Sequence, residues 1–73
     1  MEEARLLKRL GKTIHAKRVA LGYSQEHLAE LAGCHRNFIG MVERGERNIT
    51  VLKLRDIAAA LKTTVSELTE GIK

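Results

Sequence analysis

The sequence predicts an all-α domain of four or five short helices with tight connections. Apolar residues recur every three or four positions, as in Leu6, Leu7, Leu10 and Ile14, or Leu54, Ile57, Ala58 and Leu61. Glycines at 22, 33, 45 and 71 stand where those patterns stop, and Ser24, Thr50 and Thr64 stand where the next ones start. The chain has 73 residues, no proline, and no visible linker, repeat or low-complexity tract. Residues 1–73 therefore read as one domain.

The first helix is expected over residues 3–20. Leu6, Leu7, Leu10, Ile14 and the stretch from Ala16 to Val19 give it an approximate apolar stripe. Gly22 suits a C-terminal cap with positive φ. Ser24 offers a side-chain oxygen to the free amides of a second helix, Gln25 to Ala32, whose apolar residues are Leu28, Ala29, Leu31 and Ala32. Gly33 ends it, and the chain turns at once into a third helix over about His35 to Glu43. In helical projection Phe38, Ile39 and Val42 share one face, while Arg36, Asn37, Gly40, Met41 and Arg44 share the other. Gly40 lowers helix propensity by roughly 1 kcal/mol relative to Ala. Either tight packing or a flat spot for a close partner would account for it. Residues 44–50 form a loop with Gly45 as its turn glycine. Thr50 caps a fourth helix, Val51 to Leu61, with Leu54, Ile57, Ala58 and Leu61 inward. Thr64-Val65-Ser66-Glu67 fits a capping box that opens a short fifth helix, Val65 to Glu70, with Val65 and Leu68 inward and Gly71 closing it.

Composition narrows the function classes. The apolar fraction is 44%, but there is one Phe, one Tyr and no Trp, so the core must come from Leu, Ile, Val and Ala. A single cysteine, Cys34, cannot form an internal disulfide, which fits a reducing cytoplasm. No apolar run approaches the roughly 18 residues of a membrane span, and the acidic start MEEARLLKRL lacks a signal-peptide core. His15, His27, His35 and Cys34 do not have metal-ligand spacing. Cys34 and His35 are adjacent in a tight turn, which supplies neither the separation nor the orienting group of a catalytic pair. There is no glycine-rich phosphate loop. No catalytic residue, metal, cofactor or small-molecule ligand is expected, and the chain does not read as an enzyme. The formal net charge is +4, with Lys8, Arg9, Lys12, Lys17 and Arg18 in the first third and Arg36, Arg44 and Arg47 in the middle.

Two helices joined by a short glycine-containing turn form a helix-turn-helix unit, here about residues 24–43. The second helix of such a unit fits the major groove of duplex DNA, and its early outward residues meet base edges. Arg36 has the donor fork for guanine O6 and N7, and Asn37 has the amide for adenine N6 and N7. The plainer alternative is two solvated residues on a helix surface.

The run Leu21-Gly22-Tyr23-Ser24-Gln25-Glu26-His27-Leu28-Ala29, then Gly33, Ile39, Glu43-Arg44-Gly45 and Ile57-Ala58-x-Ala60-Leu61, resembles the Cro/C1-type helix-turn-helix family of bacterial and phage regulators. The resemblance covers about residues 10–70. The stretch Glu43-Arg44-Gly45-Glu46-Arg47-Asn48-Ile49-Thr50 also looks like the controller proteins of restriction–modification systems. This resemblance implies a lambda-repressor-like fold and a duplex-DNA-binding transcriptional regulator. It implies base contacts at His35, Arg36, Asn37 and Met41. Met41 stands where several relatives carry a polar reader and offers only an apolar contact, for example to a thymine methyl. Phosphate contacts are implied at Gln25, Arg47, Asn48 and Thr50. Arg44 could serve the same purpose or hold the C-terminus of its own helix. Arg18 and Glu43 occupy positions that pair as structural ions in many relatives. The C-terminal part implies a two-fold dimer contact, for which Leu52, Val65, Leu68 and Ile72 are the candidates. The expected partners are double-stranded DNA and a second copy of the chain on a palindromic operator, with RNA polymerase a further candidate. The competing reading is an antitoxin-like protein-interaction module that binds its own promoter secondarily.

Overall fold

Ser24, Thr50 and Thr64 fix where three of the helices begin. Their hydroxyl oxygens accept the backbone N–H of His27 at 2.9 Å, Lys53 at 3.1 Å and Glu67 at 3.1 Å. The computed structural model describes residues 2–71. Its helices are α1 Glu2–Ala20, α2 Gln25–Ala32, α3 Arg36–Glu43, α4 Val51–Ala60 and α5 Val65–Leu68. The fifth helix is shorter than the expected Val65–Glu70. Only half of its capping box forms, because the Glu67 carboxylate accepts from Thr63 Oγ1 at 2.9 Å and lies 3.6 Å from Lys17 Nζ. It does not reach back to the cap.

The C-terminal ends of α1 to α4 share one hydrogen-bond pattern. At α2, Cys34 N–H donates to Ala29 O at 2.9 Å and Gly33 N–H to Glu30 O at 3.3 Å, with Gly33 at φ 72°. That left-handed residue satisfies two orphan carbonyls and reverses the chain within the turn. The pattern recurs after α1 and α3. After α4 its left-handed position falls on Lys62, φ 59°, where a Cβ makes the conformation less favourable.

The core is aliphatic. Ile14, Leu28, Ile39, Ile57 and Leu68 are fully buried. Helix α2 packs on α3 and α4, α1 packs on α3, and α5 closes over α1 and α4. Several apolar residues expected inside lie outside it. The buried stripe of α1 runs through Leu10, Gly11 and Ile14 to Arg18, so Ala16 and Val19 are exposed. Helical phase puts Arg18 on the inner face, and its ion-pair partner is what permits its burial. Leu31 is exposed, because Leu28, Ala29 and Ala32 already complete the inner face of α2.

Gly11 sits where α1 meets α3. A Cβ built there would collide with the carbonyl oxygen of Val42 and would lie 2.5 Å from that of Glu43. Only a glycine lets the two backbones approach this closely. The turn between α2 and α3 is held from a third side. Lys53 Nζ, on α4, donates to Ala32 O at 3.2 Å and Gly33 O at 3.3 Å and lies 3.6 Å from Asp56. An ammonium on the terminal carbonyls of α2 also opposes the negative end of its dipole. Lys53→Met, which keeps the stem and removes the charge, is expected to lower unfolding free energy by about 1 kcal/mol. Urea denaturation checks this, and an unchanged midpoint would show the contact to be energetically idle.

Candidate nucleic-acid interface

The polar side of α3 faces outward as the helical projection requires. His35 precedes the helix as its extended N-cap residue and makes no side-chain capping bond, so its ring is exposed and uncommitted. Arg36 and Asn37 occupy the first turn and are exposed, and Met41 is half-buried one turn later. Together with Gln25, Gly40 and Arg44 they line one groove of about 300 Å³. Gly40 is buried, not a bare flat spot. Arg44 Nη1 and Gln25 Oε1 lie 3.2 and 3.6 Å from where its Cβ would be. A methyl here would press the Arg44 guanidinium aside by a few tenths of an ångström and would meet Gln25 at ordinary contact distance.

Of the residues expected at phosphates, Gln25 and Arg44 line that groove, and the five differ in what else they bind. Ser24 caps α2, leaving the first amides of that helix open to an anion beside Gln25. Gln25 Nε2 donates to Glu43 Oε1 at 3.1 Å, and its second N–H remains for a phosphate. Arg44, the C-cap residue of α3, places Nε 3.1 Å from Glu46 Oε1. Both groups of that pair are exposed, so it is weak enough to open for a better anion. The Arg47 guanidinium lies 5.6 Å from the centroid of the Phe38 ring, which limits its wandering. Asn48 Oδ1 accepts the Ile49 N–H at 2.9 Å, leaving the amide NH2 to donate outward. Thr50 uses its oxygen as a helix cap acceptor and keeps its O–H as a donor.

Glu43 lies behind the groove and is almost wholly buried. Its Oε2 accepts from Arg18 Nε at 2.7 Å. Its Oε1 accepts from Arg18 Nη2 at 3.1 Å and lies 2.9 Å from His15 Nδ1. Arg18 Nη1 also donates to Tyr23 O at 2.7 Å. One carboxylate thus ties α1, the turn before α2, α2 itself and α3 together. Burial alone would push the Glu43 carboxyl up, but the hydrogen bonds from Arg18, His15 and Gln25 outweigh it and hold the group below its ordinary value of 4.5. At Cys34, burial pushes the thiol up, away from the nucleophilic thiolate.

With this geometry in place, similarity to known proteins is informative. The sequence matches the helix-turn-helix family over residues 14–68, most of the chain. The chain belongs to that family. This helix-turn-helix protein is 44% identical over 66 residues to the control protein C.SmaI of Serratia marcescens, covering 88% of this chain and 79% of that protein. Its fold superposes on the restriction-modification controller protein C.AhdI of Aeromonas hydrophila with a TM-score of 0.83 at 40% identity, over 85% of this chain and 94% of that one. It also superposes on a hypothetical transcription factor, NHTF, from Neisseria with a TM-score of 0.85 at 34% identity, over 92% and 77% of the two chains. The helix-turn-helix protein is a sequence-specific DNA-binding transcriptional regulator resembling the restriction-modification controllers. Its matches are small regulators of this kind and not enzymes.

One residue of the sequence-based site needs revision. Leu68 cannot serve as an interface side chain, because it is 1% exposed and belongs to the core formed where α5 closes over α1 and α4. Val65 is half-buried against that same core, and Ile72 lies outside the described residues. Sequence reasoning also missed Gly11, His15 and Lys53. Gly11 carried a signal, since a glycine on the apolar stripe of a long helix marks close backbone approach. His15 and Lys53 carried none, because their partners lie 28 and 20 to 21 residues away along the chain. Among the described residues no helix is long and apolar enough to cross a membrane, and no group of His, Cys, Asp or Glu could hold a metal ion.

Proposed function

We propose that this regulator binds a roughly palindromic duplex operator as a homodimer and controls restriction–modification genes in a bacterial cytoplasm. One observation carries the reading: Gln25, Arg36, Asn37, Met41 and Arg44 line a single groove on the outer side of α3. Arg36 and Asn37 read bases, with His35 beside them and Met41 supplying an apolar contact. Gln25, Arg44, Arg47, Asn48 and Thr50 hold the phosphates on either side. These groups are donors at the helix starts and in the loop before α4, which is where a duplex backbone would pass.

One recognition helix reads only a few base pairs. A two-fold dimer doubles the site and sets two such helices about 34 Å apart, one turn of DNA. Leu52 is 65% exposed and neighbours Val51, 73% exposed, at the start of α4. This apolar pair supports Leu52 as part of the contact, with Val65 at its margin. RNA polymerase is a further partner of the bound dimer.

Selection of bound sequences from a random duplex pool, followed by sedimentation of the protein with the selected duplex, tests the reading. An inverted repeat carrying two chains is expected. A site without a repeat, saturated by one chain, would overturn the dimer. On the selected duplex, Arg36→Ala is expected to lose roughly 1–3 kcal/mol of discrimination at one base position. Equal weakening on selected and random duplexes would mark Arg36 as a phosphate contact instead. Affinity should fall steeply with salt, since the basic contacts displace counterions.

A further inference from the structure

We propose that His15 is a further DNA-phosphate contact: held through Nδ1 by Glu43, it presents Nε2 as an imidazolium to the phosphate beside Gln25, so that duplex binding takes up a proton. The proposal rests on the DNA-binding reading above and deepens it.

The placement comes from a shared acceptor. His15 Nδ1 lies 2.9 Å, and Gln25 Nε2 3.1 Å, from the same oxygen, Glu43 Oε1. The two side chains are therefore within roughly twice a hydrogen-bond length of each other. Gln25 lines the groove, and the open amides of α2 begin at it. The His15 side chain is 56% exposed while the carboxylate holding it is 4% exposed. One ring nitrogen is thus fixed from beneath, the other has no hydrogen-bond partner among the described residues, and the exposed ring shares its acceptor with Gln25, which lines the groove.

The contacts of Nδ1 decide which ring nitrogen carries the proton of the neutral ring. The groups facing the ring are Glu43 from α3, Arg18 from its own helix and the uncharged Gln25 from α2. Arg18 Nη2 is 3.1 Å from His15 Nδ1, but it also donates to Glu43 Oε1 at 3.1 Å. A bare Nδ1 lone pair would then face a carboxylate oxygen at 2.9 Å, whereas Nδ1–H donates to it. With the proton on Nδ1, a neutral ring offers only a lone pair at Nε2, which repels a phosphate. Arg18 and Glu43 already cancel, so a second ring proton leaves one positive charge. The DNA phosphate balances it, and the two events are coupled.

The test is duplex affinity between about pH 6 and pH 8, measured by fluorescence anisotropy on selected and random duplexes. The variants are His15→Asn and His15→Lys. Asparagine keeps a donor at the Nδ1 position and has nothing at Nε2; lysine supplies a permanent charge. The parent should bind several-fold more weakly at the upper pH. His15→Asn should lose affinity on both duplexes at the lower pH, lose most of the pH dependence and reduce the salt slope by about one counterion. His15→Lys should bind with little pH dependence. His27 and His35 are present in every variant, so the differences isolate His15. Parent-like affinity and pH profile in His15→Asn would overturn the proposal. If that variant unfolds at a lower temperature, His15→Lys decides: a flat profile supports the proposal and a parent-like slope overturns it. Failure of the parent to bind any duplex would instead overturn the DNA-binding reading itself.

Discussion

Glu43→Ala is expected to unfold more than about 15 °C below the parent protein, a loss of roughly 3–5 kcal/mol. The residue left behind is the cause. Arg18 has a side chain 11% exposed, and its Nε and Nη2 both donate to Glu43. Without the carboxylate, Arg18 keeps the Tyr23 carbonyl and the neighbouring His15 ring within the structure, and neither carries a compensating negative charge. A small domain has little margin against such a loss. Thermal and urea unfolding measure it, and a change below about 0.5 kcal/mol would show that the pair is not coupled. Replacing both members, as Arg18→Met with Glu43→Leu, should restore much of the stability, since the penalty lies in the unpaired charge. The pH dependence follows from the depressed Glu43 carboxyl. A group held below its ordinary value of 4.5 contributes stability that is fully present above that value and is lost as pH falls through the lower, folded-state value. Acid should therefore weaken the parent in that range more than it weakens the doubly substituted protein.

Gly11→Ala should destabilise by roughly 2–4 kcal/mol, despite a gain of about 1 kcal/mol in helix propensity. The added methyl meets the backbone carbonyls of Val42 and Glu43. Backbone cannot rotate aside as a side chain can, so α1 and α3 must separate. Separation opens the packing of Leu10 and Ile14 and stretches the Arg18–Glu43 pair from its 2.7 Å. It also displaces α3 relative to α2, so the folded fraction should bind duplex DNA more weakly as well. Denaturant unfolding with anisotropy on the same variant reads both effects. An unchanged midpoint would mean that the helices adjust at no cost.

The helix starts were legible because a serine or threonine hydroxyl performs one local task, and three such residues mark three starts. The inner faces of α3 and α4 were legible for a related reason, since bulky residues there repeat at helical spacing. The tail of α1 was not legible. Its stripe continues through Arg18, and a count of apolar residues reads that position as solvent-facing. The exposed polar side of α3, with Arg36 and Asn37, followed from helical phase alone. The state of each polar group around it did not. That Arg47 rests on Phe38 and that His15 and Gln25 meet on one oxygen are contacts between residues on different elements or loops. Leu68 misled because a short terminal helix with spare apolar residues looks the same in sequence whether it seals its own core or meets a neighbour.

The close seating of α1 on α3 has a consequence for how new binding preferences arise. Backbone against backbone at Gly11, a buried carboxylate behind the groove and a lysine over the α2 turn leave α3 little rotational or translational freedom. If α3 enters the DNA groove as proposed, it does so from a position already fixed in the free protein, and binding surrenders little backbone entropy. On the proposed reading, the side chains at 35, 36, 37 and 41 are exchangeable base-contacting heads on a fixed mount. Energies of substitutions at those positions should combine nearly additively where their target base pairs are well separated. A chain of this kind can acquire a different operator by changing a few exposed residues without reworking its interior.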